Sequence, residues 1–202
     1  MNILIYTQCF APKLGGIESV MSNIATQAYL KGNKITVLAD GSKYHSSKYD
    51  KRQKFEIYRF DQLKFLRKKI KSNFASNLIK KQKFDFIYFD SWKSLEGLSG
   101  NEDAKKICLV HGNEILNLKK RNDIYNSLSK ADKIIFNSFF TKKLFLKNFK
   151  GFSKKKLSVI LPAFIDHIKK GPSKKKKYDL CTIARLEYRK GHHLVLEALA
   201  EI

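Results

Sequence analysis

The sequence predicts an α/β protein built on a doubly wound, mainly parallel β-sheet with helices on both sides. Three observations predict it. Short, wholly apolar runs such as Ile3-Leu4-Ile5-Tyr6 and Ile107-Cys108-Leu109-Val110 suit strands buried on both faces, as parallel strands are. Amphipathic stretches of helical period lie between these runs, so strand and helix alternate along the chain. Polar or glycine-bearing loops follow the apolar runs, at the carboxyl edge of such a sheet, where ligands bind in this architecture.

Residues 2–7 read as the first strand, and its loop closes on Leu14-Gly15-Gly16. A helix follows with Ile17, Val20, Met21, Ile24, Ala25 and Ala28 on one face, stopped by Gly32. Residues 35–39 form the second strand, 40–54 a polar loop and 55–60 a further strand. Leu63, Leu66, Ile70, Phe74 and Leu78 then mark a long helix, with Lys64, Arg67, Lys68, Lys69, Lys71, Lys80 and Lys81 as its basic set. The apolar stripe is expected against the sheet and the lysines in water, where they also suit an anionic membrane surface. Strands are expected at 84–89, 106–110, 133–136 and 157–161, and helices at 116–129 and 141–149. Residues 166–177, with Gly171-Pro172-Ser173 and four lysines, read as a charged linker. From Cys181 a strand ends in Arg185, a loop carries Lys190-Gly191, and a helix opens on His192-His193. The expected organisation is one domain over 1–165, the linker, and at 178–202 the truncated start of a second domain.

Composition fits a folded chain of 202 residues with 43% hydrophobic and 12% aromatic residues, which excludes a disordered one. Cys9, Cys108 and Cys181 form no disulfide or metal-ligand spacing, as in a reducing, cytoplasmic setting. No leader peptide and no membrane-length apolar run is read from the sequence. Charge is the outlier: 41 Lys+Arg against 18 Asp+Glu, a net +23. An AT-rich coding bias raises lysine along with Asn and Ile, but it does not hold Asp and Glu so low. The field therefore attracts polyanions, whether nucleic acid, anionic membrane or sugar nucleotide. A basic α/β module binding nucleic acid is the alternative function. Against it, the basic residues are spread along the chain and no helix-turn-helix, RRM or zinc motif occurs.

Three places carry candidate chemistry. Gly15-Gly16, at the start of the first helix, lets a ligand oxygen approach the helix amides, though a pair of glycines also suits a tight turn. The G-x-G-x-x-G spacing is absent, which leaves Asp40 a weak imitation of a ribose-binding acid. His111-Gly112-Asn113-Glu114 follows an apolar strand directly, so His111 can donate to a sugar hydroxyl or developing oxyanion, or be a simple surface histidine. Arg185 and Lys190 flank one turn and can share a diphosphate, or stand as two solvated cations of a basic chain.

Pro12-Lys13-Leu14-Gly15-Gly16-Ile17-Glu18, Lys31 to Val37, His111 to Glu114, Ala131 to Ser138, and Ala184-Arg185-Leu186 through Lys190-Gly191 occur in this order. In order and spacing the chain resembles the family 4 glycosyltransferases, retaining enzymes of GT-B architecture. The resemblance implies two Rossmann-like domains around a cleft, a nucleotide-sugar donor, and transfer without metal or other cofactor. It implies that Gly15 and Gly16 lie beside donor and acceptor, that His111 contacts the transferred sugar, and that Arg185 and Lys190 grip the donor diphosphate. The implied setting is cytoplasmic, at the inner face of the cell membrane, acting on a glycan or lipid-linked acceptor. The hinge at Leu161-Pro162-Ala163 lacks the Asn-Gly usual after that proline, and the family's paired glutamates have no counterpart up to Ile202. Weak autonomous activity is therefore expected, with a missing second half supplied in trans as one way to complete the site.

Overall fold

The computed structural model describes residues 1–98, 103–163 and 178–201. Met1–Ala163 forms one compact unit, and the described residues beyond it belong to a second. The first unit runs β1 (Asn2–Thr7), α1 (Gly16–Leu30), β2 (Lys34–Asp40), α2 (Lys43–Asp50), β3 (Glu56–Phe60), α3 (Lys64–Lys81) and β4 (Phe86–Phe89). It continues with α4 (Trp92–Leu95), β5 (Lys105–Val110), α5 (Arg121–Ser129), β6 (Lys133–Phe136), α6 (Phe139–Asn148) and β7 (Leu157–Val159). All pairings are parallel, in the order β3-β2-β1-β4-β5-β6-β7. The winding direction therefore reverses between β1 and β4, which opens a crevice at their carboxyl ends.

β1 is apolar throughout because both of its faces are covered. Leu4 and Tyr6 point into a core that takes in Ala75 of α3, Trp92 of α4, Ile124 and Leu128 of α5, and Phe145 of α6. Ile3 and Ile5 point into the other core, with Met21 and Ala25 of α1 and Val37 of β2. Burying each such aliphatic side chain stabilises the fold by roughly 1.5–3 kcal/mol. A polar residue at any of these positions would break one of the two layers. Gly32, at φ 78°, ends α1 in a left-handed conformation that suits glycine.

The structure departs from the sequence expectations at five places. The expected polar loop at 40–54 contains α2, whose sequence KYHSSKYD has no apolar period. It is started instead by the Ser42 hydroxyl, which accepts from His45 N, and it is anchored by Tyr49 packing edge-on to Phe10. The helix expected from Leu116 begins only at Arg121, preceded by two single 3₁₀ turns. α4 follows β4 where no helix is expected. Along α3 the buried positions are Lys71 and Ala75, while Leu63, Phe65, Leu66 and Ile70 are exposed. The second half of the expected stripe, Phe74 and Leu78, does pack against the core, but its first half does not, and Lys71 belongs to the buried face rather than to the solvated one. Finally, no strand forms at Cys181–Ala184 among the described residues. A strand needs a neighbour to take its backbone hydrogen bonds, and the second unit's described residues provide none. The helix expected there does form, as α7 (His192–Ala200), with none of its residues buried. The expected linker at 166–177 lies outside the described residues.

Candidate active site

Register brings the strand ends level. Thr7 pairs with Ala39, Tyr6 with Phe89, Phe89 with Cys108, and Val110 with Phe136. The last or next residue of β2, β1, β4, β5 and β6 is polar, so Asp40, Thr7, Asp90, His111 and Asn137 form a row along one carboxyl edge.

Asp90 closes the crevice between β1 and β4. It is only 2% exposed. One carboxyl oxygen accepts from the Thr7 hydroxyl at 2.9 Å, from Gln8 N at 2.8 Å and from Cys9 N at 3.1 Å. The other accepts from the Ser94 hydroxyl at 2.5 Å. A buried carboxyl group is tolerated when donors satisfy it in this way. It thereby fixes the start of the loop that carries the glycines.

Beside it, Lys71 donates to Asp40 at 2.8 Å and to the Thr7 carbonyl at 2.5 Å, with its ammonium 4.5 Å from the centre of the Tyr6 ring. Arg67 holds the second Asp40 oxygen at 3.0 Å. Burial pushes the Lys71 pKa down from its ordinary value, with Asp40 working against the shift. Burial, with Asp40 and Asp90 nearby, pushes the Tyr6 hydroxyl up. The Cys9 thiol rises to about 12, chiefly through burial and then through Asp90 and Glu18. Asp40, with two cations already on it, is a structural anchor and not a free ribose acceptor.

His111 stands at the end of β5, and its main chain is fixed on both sides. Its N–H donates to Glu114 at 2.5 Å, and its carbonyl accepts from the Asn137 amide at 3.3 Å. Gly112 follows at φ 113°, a conformation that an L side chain rarely adopts. The His111 Nε2 atom is buried without a hydrogen-bond partner among the described residues. The residue lines a mainly apolar cleft of about 340 Å³ together with Val20 and Ile24 of α1, Tyr88, Leu109, Asn137 and Pro162.

The glycine pair divides in two. A Cβ on Gly15 would meet the Glu18 carboxylate, the movable end of a side chain, which would have to shift. A Cβ on Gly16 would meet nothing within 4 Å, and Gly16 is not among the glycines with positive φ. α1 starts here with no side-chain cap, leaving its first amides open. α1 also walls the His111 cleft, so the glycine corner and His111 share one edge and one neighbouring helix.

The second unit holds Arg185 and Lys190. Arg185 is paired with Glu187 at 3.0 Å, and Glu187 also holds Arg189 at 2.8 Å. Lys190 ends a 3₁₀ turn before Gly191, which adopts φ 70°. His192 Nε2 lies 2.9 Å from the Arg185 carbonyl, fixing the turn. Glu187 and Arg189 were not singled out from the sequence, and neither were Asp90 or Lys71 as partners of the first loop. A signal for Asp90 exists: an acid directly after an apolar strand, FIYF, at the carboxyl edge. A signal for Lys71 is its place in the spacing 71, 74, 75, 78 with Phe74, Ala75 and Leu78.

Among the described residues no cluster of three His, Cys, Asp or Glu side chains could hold a metal ion, and no helix is long and apolar enough to cross a membrane. A family model described as Glycosyltransferase Family 4 matches residues 14–166. No curated protein matches the chain. Among solved structures, Acinetobacter baumannii MurG is similar at TM-score 0.53 and 11% identity, over 81% of this chain and 46% of that one. Anabaena HepE, in complex with UDP and glucose, is similar at TM-score 0.57 and 19% identity, over 81% and 45%. A glycosyltransferase of Rickettsia africae is similar at TM-score 0.54 and 20% identity, over 79% and 42%. These likenesses show the fold, and the chain spans less than half the length of each of these three proteins.

Proposed function

The chain belongs to glycosyltransferase family 4, and from that premise we propose that it serves sugar transfer from a nucleotide-sugar donor to a glycan or lipid-linked acceptor. In this reading transfer retains the anomeric configuration and uses no metal. Residues 1–163 supply the acceptor side of the cleft, and the Arg185–Lys190 turn belongs to the donor side. Work at the inner face of the cell membrane, and completion of the donor side by a second half in trans, are part of the same proposal.

The observation that carries it is the His111 Nε2 atom, buried and unpartnered at the carboxyl edge. Leaving such an atom unpaired costs about 1–3 kcal/mol, which a sugar hydroxyl placed against it would offset. The backbone tether to Glu114 and Asn137 holds the ring's starting point, so little order is lost on binding. Gly16 supports the same reading, because neither crowding nor φ requires a glycine there and its absent side chain leaves the first helix amides approachable. On the donor side, Arg185 and Lys190 would neutralise the charge gathering on the departing nucleoside diphosphate, Arg185 exchanging Glu187 for phosphate oxygens.

Transfer of labelled sugar from a panel of nucleotide sugars, UDP-glucose first, to lipid and glycan fractions tests this. The rate is expected to fall about 10²–10³-fold in His111→Ala. Equal rates for the two proteins would end the proposal.

A further inference from the structure

A second groove, of about 290 Å³, opens at the same edge between α3, α4 and α5, and its chemistry differs from that of the His111 cleft. Its walls carry Lys64, Arg67, Lys68, Lys71, Lys93 and Lys120 against Asp40, Glu96 and Asp123. Two of the three carboxylates are already engaged: Asp40 by Arg67 and Lys71, and Glu96 by Lys68 at 2.7 Å. Lys64, Lys93 and Lys120 are exposed and have no ion pair among the described residues. α3 starts at this groove with no side-chain cap and no acid in its first turn, so its open amides add to the positive field. Trp92 lines the groove too, and its indole N–H, a donor only, is buried without a partner among the described residues. Cationic side chains outnumber carboxylates in the lining, six to three.

We propose that this groove binds a phosphoryl group of the acceptor, held by Lys64, Lys93 and Lys120. Three ammonium groups suit a group whose oxygens point in several directions, because each acts as a point charge without a fixed plane. The proposal rests on the transferase reading only in calling the ligand an acceptor. The phosphoryl group can come from a lipid head group or from a soluble phosphorylated sugar. Leu63, Phe65, Leu66 and Ile70 are exposed among the lysines of α3, the apolar and basic mixture that a bilayer surface receives.

Trp92 is the chain's one tryptophan, so its fluorescence reports on this groove directly. Pyrophosphate titrated into the full chain is expected to change that emission saturably, with calorimetry as a second readout. The double variant Lys64→Ala/Lys120→Ala is expected to lower the affinity roughly tenfold. The control variant Lys80→Ala/Lys81→Ala/Lys83→Ala removes three charges beside the amino ends of the strands, where Asn2 meets Lys83. It is expected to leave the affinity within about twofold. Equal losses in both variants, or no saturable binding by either readout, would overturn the proposal. Vesicles of phosphatidic acid and of phosphatidylcholine, compared with pyrophosphate, separate the sources. Vesicle binding lost in Lys64→Ala/Lys120→Ala assigns a lipid-borne phosphate, and pyrophosphate binding without vesicle binding assigns a soluble one. Because no sugar is transferred in these measurements, their failure is distinct from a failure of the His111→Ala assay.

Discussion

Asp90 and His111 both follow directly on an apolar strand, β4 and β5, and both stand on the carboxyl edge, yet the fold treats them differently. Asp90 accepts from Thr7, Gln8, Cys9 and Ser94, so its hydrogen-bonding capacity is spent on the chain itself. His111 has its main chain secured by Glu114 and Asn137, while its Nε2 finds no partner among the described residues. One residue closes the crevice over β1 and β4, and the other lines the apolar cleft beside α1. Adjacent strand ends in one sheet can thus be divided between holding the frame and meeting a ligand. Which side of that division a residue falls on is decided by how many of its polar atoms the chain already satisfies.

Four measurements break or sharpen this contrast. Asp90→Ala should be the most damaging, at about 3 kcal/mol in urea unfolding, since it strands the Gln8 amide and the Ser94 hydroxyl, while the Thr7 hydroxyl and the Cys9 main chain still hold one another. A loss under about 1 kcal/mol would mean that those groups find other partners and that Asp90 is no bracket. Next comes Cys9, on the closed side, whose thiol stands at about 12. Alkylation at pH 8 should modify exposed Cys181 first and Cys9 at least about a hundredfold more slowly, read by mass spectrometry of the peptides. Lys71→Met should cost roughly 1–2 kcal/mol at neutral pH, less than a fully broken buried pair because Arg67 still answers Asp40.

The pH dependence of Lys71 has a definite sign. Its pKa is lower folded than unfolded, so between those two values the unfolded chain binds more protons. The penalty for burying the charged form is complete below the folded pKa and is relieved as pH rises towards the ordinary value of 10.5. The stability advantage of the natural protein over Lys71→Met should therefore grow with pH in the alkaline range, and an advantage that shrinks there would contradict the shift. Smallest of all, His111→Ala should change stability by no more than about 0.5 kcal/mol, because the relief of removing an unpaired buried nitrogen offsets the ring packing that is lost. A stability loss comparable to that of Asp90→Ala would make His111 a structural residue and erase the contrast.

The frame was readable where the code is local. β1 and β6 occupy the spans expected for them, 2–7 and 133–136, because both are apolar runs in the two-layered middle of a sheet. The position of His111 at the carboxyl edge follows from the same reasoning. α2 was hidden because its order comes from the Ser42 cap and from one aromatic contact, not from period. The α3 register was misread because Lys71 reads as a surface residue until Asp40, 31 positions earlier, and the Thr7 carbonyl, 64 positions earlier, are brought to it. Asp90 escaped for the same reason, as its partners Thr7 to Cys9 lie more than 80 positions away. At Cys181 local pattern misled outright: the run suits a strand, but pattern supplies no neighbour for it to pair with.

β1 occupies the middle of the sheet, and its two neighbours are synthesised far apart in time. Its contact with β2 is available once residue 40 has been made, while β4 begins at Phe86, and Asn2 N binds Asp85, 83 positions on. At ordinary elongation speeds of about 5–20 residues per second that interval is a few seconds. Throughout it the nascent chain carries a strand buried on both faces in the finished fold with one edge unpaired, at the stage when aggregation competes most directly with folding.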